Sequence, residues 1–265
     1  MFPSTALPLD LTVSVELYQY FDAYGVDGVF TLIPLSGAPE TIVSNKREVE
    51  LSGMAWERYT PASTFKILNA LIGLESGVIP DADYELAWDG TVYGIPAWEQ
   101  DHTLRTAMEV SAVWYYQELA RQVGEEEMAA YVRAADYGNN DTASEIDLFW
   151  LDGQLQISAF EQVQFLRRLY LNQLPFRVAH QETVKGMLLL EETETYALYG
   201  KTGWGQTAEG EVGWFVGFVE TADDVFFFAT VIESDLPPAN FGESRVAVTK
   251  ALLQELGVVA EFPQN

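Results

Sequence analysis

The chain has 265 residues, 48% of them apolar and 20% charged, so it can bury a substantial core and is not a disordered segment. Forty acidic residues against 14 basic ones leave a net charge of −26, a field that repels phosphate backbones and anionic lipid surfaces. Cysteine is absent, which removes disulfides and thiolate chemistry, and the two distant histidines, His102 and His180, cannot build a multi-histidine zinc site.

In chain order, Val13–Phe21 has helical spacing and stops near Gly25. The first basic residue is Lys46, so the opening lacks the positive flank of a signal peptide and reads as a trimmed mature end. Asp27–Leu35 is β-branched and aromatic and reads as a strand; a turn at Ser36–Gly37 and a strand at Thr41–Ser44 would complete a hairpin. Helical character begins at Ser63 and ends at Gly77. Further helices are expected at Leu104–Met108, Val113–Val123, Glu125–Ala135, Glu161–Leu171 and Thr183–Leu190. The tail turns to strands at Ala197–Tyr199, Glu211–Glu220 and Val225–Glu233, then to a last helix from Glu243 to Leu256. No run approaches the roughly 18 to 20 apolar residues of a membrane span.

Strands at both ends with helices between predict an α/β (α+β) fold, a mixed antiparallel sheet flanked by helices with an inserted helical subdomain. The sheet subdomain takes approximately 1–60 and 191–265 and the helical one approximately 61–190, within a single domain. The cleft between them is the natural place for a site.

Three short patterns carry chemistry. The first is Ser63-Thr64-Phe65-Lys66, at the head of the first central helix. Residues three apart share a helix face, so the Ser63 hydroxyl and the Lys66 amine can approach each other. A serine hydroxyl needs an adjacent base, and a lysine serves only if its pKa is depressed. Burial behind Phe65, Ile67 and Leu68 can depress it, because desolvation disfavours the ammonium. The helix start also aims free N–H groups at an oxyanion developing on Ser63. Alone the pattern is weak, since a chain this long contains about one S-x-x-K by chance.

The second pattern is Lys201-Thr202-Gly203, between the Ala197–Tyr199 strand and a glycine-rich turn. A lysine and a hydroxyl on a strand edge can hold a carboxylate, and Gly203 lets a substrate backbone lie close. Only Lys46, Lys66, Lys185, Lys201 and Lys250 occur in the chain, so two of its few lysines fall in these patterns. The third is Ser111-Ala112-Val113 at a helix start, where serine is also an ordinary N-cap. S-x-x-K with S-D-N and K-T-G marks penicillin-binding proteins and class A β-lactamases, but Val113 stands where that set has asparagine.

That departure points to a different class. The chain resembles the class D β-lactamases, the oxacillinases. The matching stretches are PASTFKI at 61–67, PAWEQD at 96–101, SAV at 111–113, YQELARQVG at 116–124 and YGN at 137–139. They continue with FWLDGQLQIS at 149–158, KTGWG at 201–205 and GWFVGFVE at 213–220, in the family's order over nearly the whole chain.

The resemblance implies a serine β-lactamase or penicillin-binding-like fold that hydrolyses the β-lactam amide through a serine acyl-enzyme. It casts Ser63 as the acylated nucleophile. Lys66, carrying a carbamate formed with CO2, becomes the general base, with no other cofactor and no metal. Trp150 matches the tryptophan that hydrogen-bonds the carbamate, and Ser111 the residue that relays a proton to the lactam nitrogen. Val113 and Leu151 match the apolar lid over the modified lysine. Lys201, Thr202 and Gly203 would bind substrate, Trp204 would lend its backbone N–H to the oxyanion hole with that of Ser63, and Arg245 matches a carboxylate-binding arginine. Tyr137 and Asn139 match a motif that shapes the cleft. His102 and His180 take no role and read as solvated or helix-end residues.

The implied partners are β-lactam small molecules, and the implied location is periplasmic or secreted. The main alternative is the penicillin-sensing domain of a receptor, acylated without turnover; a DD-peptidase of the same superfamily is the second. Val113 counts against both. The net charge of −26 disfavours the approach of anionic β-lactams at low salt and leaves their capture to Lys201 and Arg245. The expected outcome is that kcat/KM for an anionic substrate rises with ionic strength, checked by initial rates across a sodium chloride series.

Overall fold

β-Branched and aromatic residues in the last third of the chain build the centre of the fold. The computed structural model describes residues 17–37, 40–45, 55–207 and 210–263. In chain order the strands are β1 (Asp27–Pro34), β2 (Thr41–Ser44), β3 (Arg58–Tyr59), β4 (Glu85–Leu86), β5 (His102–Thr103) and β6 (Ile157–Ser158). They continue with β7 (Leu189–Glu192), β8 (Tyr196–Thr207), β9 (Gly210–Thr221) and β10 (Val225–Ser234). The helices are α1 (Gln19–Asp22), α2 (Lys66–Ser76), α3 (Leu104–Glu109), α4 (Val113–Val123), α5 (Glu125–Ala134), α6 (Ala159–Tyr170), α7 (Val178–Met187) and α8 (Phe241–Glu255).

Six strands form one antiparallel sheet in the order β2-β1-β10-β9-β8-β7, while β3 pairs with β6 and β4 with β5. The sheet is the middle of three layers, so its central strands are apolar on both faces. From β9, Trp214, Val216 and Phe218 enter the core shared with α2–α7, and Phe215 and Val219 enter the one shared with α1 and α8. Each such side chain contributes about 1.5–3 kcal/mol by leaving water. The helical segment enters after β3 and returns at β7, which lays the turn at Ala62–Phe65, just ahead of α2, against β8.

Most expected elements are present, and the differences have physical reasons. Of the first helix, residues 13–16 lie outside the described residues and only Gln19–Asp22 is helical. The Ala197–Tyr199 strand runs on to Thr207, so Lys201-Thr202-Gly203 sits inside β8 rather than ahead of a turn. Glycines 200, 203 and 205 are there for close approach: a Cβ on Gly200 would meet the Phe215 ring at 2.6 Å. The expected helix Thr183–Leu190 is instead Val178–Met187 followed by β7, an edge strand that exposes Leu189 and Leu190. Ser63 lies on a 3-10 turn, Ala62–Phe65, before the α-helix proper, and the stop at Gly77 is a left-handed residue with φ 80°. Helix α6 starts before Glu161, because Ser158 and Glu161 form a capping box.

Gly217 marks the tightest point of the sheet, where a Cβ would come within 1.9 Å of the Tyr199 carbonyl oxygen and 2.8 Å of Phe228 Cζ. Gly217→Ala is expected to destabilise the protein by about 2–3 kcal/mol through overpacking. The denaturation midpoint in urea measures this; an unchanged midpoint would show that the β8–β9 pair can part without penalty.

Candidate active site

The turn carrying Ser63 packs on β8 through two glycines. A Cβ on Gly203 would lie 3.0 Å from the Pro61 carbonyl oxygen, and one on Gly205 3.0 Å from Thr60 Cγ2. Strand β7 accompanies β8 only as far as Gly200, so beyond that point the outer edge of β8 has no strand beside it among the described residues. An extended ligand backbone can lie along such an edge.

Lys66 opens α2 and is fully buried. Its Nζ lies 2.8 Å from Ser63 Oγ, 2.7 Å from the Ser111 carbonyl oxygen and 2.9 Å from Ser111 Oγ. The Lys201 Nζ donates to the same Ser111 Oγ at 3.0 Å and to the Thr202 carbonyl at 3.1 Å. Burial, with Lys201 nearby, holds the Lys66 amine well below the usual lysine range. Burial and then the Arg245 charge push Lys201 down to about 7. Among the described residues no carboxylate pairs with either lysine. A neutral Lys66 amine can donate to the Ser111 carbonyl and accept the Ser63 hydroxyl proton, which is the geometry a general base needs.

Ser111 is not the N-cap that its place before α4 suggests, because Ala112 occupies that position. Its φ is 58°, a left-handed conformation that costs a non-glycine residue about 1–2 kcal/mol. That twist turns both its carbonyl and its hydroxyl toward Lys66. Trp150 is fully buried and stacks on Phe65 at 5.3 Å between ring centroids. Its indole N–H has no hydrogen-bond partner among the described residues, unusual for a buried donor.

Arg245, on α8, places its guanidinium 5.4 Å from the centre of the Trp204 ring. Its Nε and Nη1 are buried without a partner among the described residues, and burial lowers its pKa to about 10. Trp204 is half-exposed and donates its indole N–H to Glu211 at 2.5 Å. Val113 is the first residue of α4, Leu151 follows Trp150, and both are half-buried.

Two expected site residues are not brought to the cluster. Tyr137 is fully buried beneath it, edge-on to Phe65 and Phe165, and Asn139 binds the backbone of Asp141, Gln154 and Gln156. Nor are the histidines simply solvated. His102 is buried between Thr106 Oγ1 and the Ala97 carbonyl, while His180 pairs with Glu75 at 2.8 Å.

Residues 34–254 match the penicillin binding protein transpeptidase domain. The chain is 40% identical to the β-lactamase OXA-5 of Pseudomonas aeruginosa over 97% of its own length and 94% of that protein's. The chain belongs to the class D β-lactamase family. The class D β-lactamase YbXI from Nostoc has the same fold, with a TM-score of 0.86 at 35% identity, covering 93% of this chain and 100% of that one. A second branch is equally near: the chain is 40% identical to the regulatory protein BlaR1 of Bacillus licheniformis over 93% of its length but spans only 40% of that protein. The C-terminal domain of the Bacillus licheniformis BlaR penicillin-receptor superposes with a TM-score of 0.86 at 37% identity, covering 98% of this chain and 100% of that domain.

Sequence reasoning passed over most of the contacts that hold the nucleophile turn. Ala62 N–H and Thr60 Oγ1 both donate to the Trp150 carbonyl, at 3.0 and 2.9 Å, and Trp214 Nε1 donates to the Thr60 carbonyl at 2.9 Å. Gln162 Nε2 donates to Thr64 Oγ1 at 2.7 Å. One signal was available. Gln162 shares a helix stripe with Phe165, Leu166 and Leu169, where a polar side chain needs a buried partner.

With Lys201 titrating near 7 against an ordinary 10.5, the unfolded chain binds more protons between those values, so this residue makes stability rise as pH climbs through the window. Lys201→Met is expected to flatten that rise, measured as denaturation midpoints of both proteins near pH 7 and near pH 10. Parallel slopes would show that Lys201 keeps an ordinary pKa.

Proposed function

We propose that this chain is a serine β-lactamase that opens the β-lactam amide through an acyl-enzyme on Ser63, with a CO2-derived carbamate on Lys66. The observation that carries the reading is a buried amine 2.8 Å from the Ser63 hydroxyl, with no carboxylate among the described residues to hold it charged. CO2 adds only to a neutral amine, and the apolar setting favours that form. The orphaned Trp150 indole N–H, on a ring stacked against Phe65, calls for an acceptor that the unmodified lysine does not provide. When present, the carbamate supplies an anionic oxygen base beside Ser63 and the acceptor that Trp150 lacks. Val113 and Leu151 fit an apolar cover that keeps water from the modified lysine.

The remaining steps follow from the chain's own groups. Arg245, Thr202 and Lys201 hold the substrate carboxylate, and the substrate lies along the open edge of β8 beside Gly203. Ser63 gives its hydroxyl proton to the base on Lys66 as its Oγ attacks the lactam carbonyl carbon, and the backbone N–H groups of Ser63 and Trp204 bind the oxyanion. As the C–N bond breaks, Ser111 passes its proton to the lactam nitrogen and recovers one from Lys201, 3.0 Å away. Water then attacks the Ser63 ester and releases the ring-opened acid. Tyr137 and Asn139 act on this cleft only through the core and the loop they hold. Among the described residues no helix is long and apolar enough to cross a membrane and no His, Asp and Glu group is placed to hold a metal. The substrate class makes the periplasm or the cell exterior the place of action.

The likeness to BlaR1 favours a second reading, a sensor that is acylated and not released. Val113 supports the enzyme, since a polar group there would favour loss of CO2. A time course with a chromogenic cephalosporin in large excess, with and without bicarbonate, separates the two. Sustained turnover that rises with bicarbonate is expected, with a stronger bicarbonate dependence in Trp150→Ala and no acylation in Lys66→Ala. One stoichiometric burst followed by a flat line would establish the sensor instead, and full hydrolysis by Lys66→Ala would remove Lys66 as the base.

A further inference from the structure

The turn that carries Ser63 is strained. Ala62, the residue before it, has φ 47°, a left-handed conformation that persists in a non-glycine residue only where the surroundings over-determine it. Three clamps on this turn are backbone contacts or come from the aromatic core: Ala62 N–H and Thr60 Oγ1 to the Trp150 carbonyl, and Trp214 Nε1 to the Thr60 carbonyl. The fourth is a relay of side chains. Gln162 on α6, fully buried, donates Nε2 to Thr64 Oγ1 at 2.7 Å, and Thr64 donates its hydroxyl proton to the Pro61 carbonyl at 2.8 Å.

The relay has a direction. A hydroxyl has one proton, and because the Pro61 carbonyl can only accept, the 2.8 Å contact uses that proton and leaves Thr64 Oγ1 to accept from Gln162. Tyr137 is fully buried with its ring edge-on to Phe65 and its hydroxyl unpaired among the described residues, which places it in the core behind the relay rather than in the cleft. The other end of Thr64 touches the substrate strand. A Cβ on Gly203 would meet Thr64 Cγ2 at 3.1 Å and the Pro61 carbonyl oxygen at 3.0 Å. Thr64 and Pro61 are therefore the surface on which β8 rests, and they set the spacing between Ser63 on the turn and Trp204 on the strand.

We infer that Gln162 and Thr64 are positioning residues for acylation, fixing the Ser63 turn against β8 so that the nucleophile and the two oxyanion amides converge on one carbonyl. The inference rests on the acyl-enzyme reading above. Neither residue touches substrate; both act through the Pro61 carbonyl. A displacement of about 1 Å at reacting groups costs up to about 100-fold in rate, so the loss of one relay bond should be read in the acylation step.

The test measures the acylation rate constant by stopped flow with a chromogenic cephalosporin, per active site titrated with a fluorescent penicillin, so that misfolded protein does not count. Thr64→Val keeps the shape without the hydroxyl, and Gln162→Leu keeps the bulk without the amide. Each is expected to slow acylation by about tenfold or more, and the double variant to be no slower than Thr64→Val alone, as a single relay requires. Thr64→Ser retains the hydroxyl and is expected to stay within about threefold of the parent. Gln162→Glu adds a pH signature. Its carboxylate only accepts, so it draws the Thr64 proton away from Pro61, whereas its acid form can donate. Acylation by this variant should fall as pH rises, relative to the parent over the same range.

Parent-like acylation per titrated site in both Thr64→Val and Gln162→Leu, with only a lower melting temperature, would reduce the relay to packing and overturn the inference. So would additive losses in the double variant, or a Gln162→Glu profile parallel to that of the parent. Failure of the parent chain itself to acylate would instead strike the proposed function, which keeps the two failures apart.

Discussion

A lysine amine sealed among a serine hydroxyl, a carbonyl and a second serine is the constraint on which the rest of the site depends. Lys66 has no solvent contact and no carboxylate partner among the described residues, and a second lysine, Lys201, converges on the same Ser111 hydroxyl. Such an arrangement is costly for the charged form and favours the neutral amine. It survives because the aromatic layer beneath it leaves little freedom. Phe65, Phe149, Trp150, Tyr137 and Phe165 are fully buried and pack face to face or edge to face in a continuous group. Of the two left-handed residues, Ala62 is tied to this layer by its N–H to the Trp150 carbonyl and Ser111 is tied to Lys66, next to Phe65, so the strain at the site is held by its packed surroundings.

Charge sorts the same way. Elsewhere many of the described basic residues are drawn to the abundant acids: Arg58 to Glu161, Arg105 to Asp83, Arg121 to Glu118 and Asp147, Arg177 to Glu75, Lys185 to Glu182, Lys250 to Glu191. Lys66, Lys201 and Arg245 escape this in a chain of net charge −26. Trp204 helps keep Arg245 free, since its ring lies against the guanidinium while its indole N–H holds the carboxylate of Glu211. Arg245, together with Lys201 when protonated, makes a cationic patch inside an acidic shell and a receptor for an anion, and its field acts at short range, where salt screens it least.

The sequence made the broad architecture legible because the strands are long apolar runs and the helices have clear stripes and stops, such as Gly77 with its left-handed φ. The Ser63, Lys66 and Lys201 cluster was legible through motif and lysine scarcity together. What stayed hidden depends on tertiary contact. Nothing local tells that Lys201-Thr202-Gly203 continues a strand, since glycine reads as a turn until Pro61 and Thr64 are seen to press against it. Ser111 has the letters of an N-cap, and only its φ of 58° reveals that it points elsewhere. Tyr137 follows a motif known for the cleft, yet the fold spends it in the core beneath.

The fold does not decide between turnover and trapping. A class D enzyme and a penicillin-receptor domain superpose on this chain with the same TM-score of 0.86. Both outcomes share acylation and diverge only in how fast the Ser63 ester meets water. Each tenfold in that rate is about 1.4 kcal/mol of barrier, so even a thousandfold difference is close to the worth of one or two hydrogen bonds to a charged group. Differences of that size are invisible in a backbone and reside in single side chains beside the base. On the reading proposed above, those are an apolar Val113 two residues after Ser111 and a Trp150 indole N–H that has no acceptor among the described residues. An apolar neighbour and a waiting donor both favour a base that persists once formed, and a persistent base is what deacylation requires.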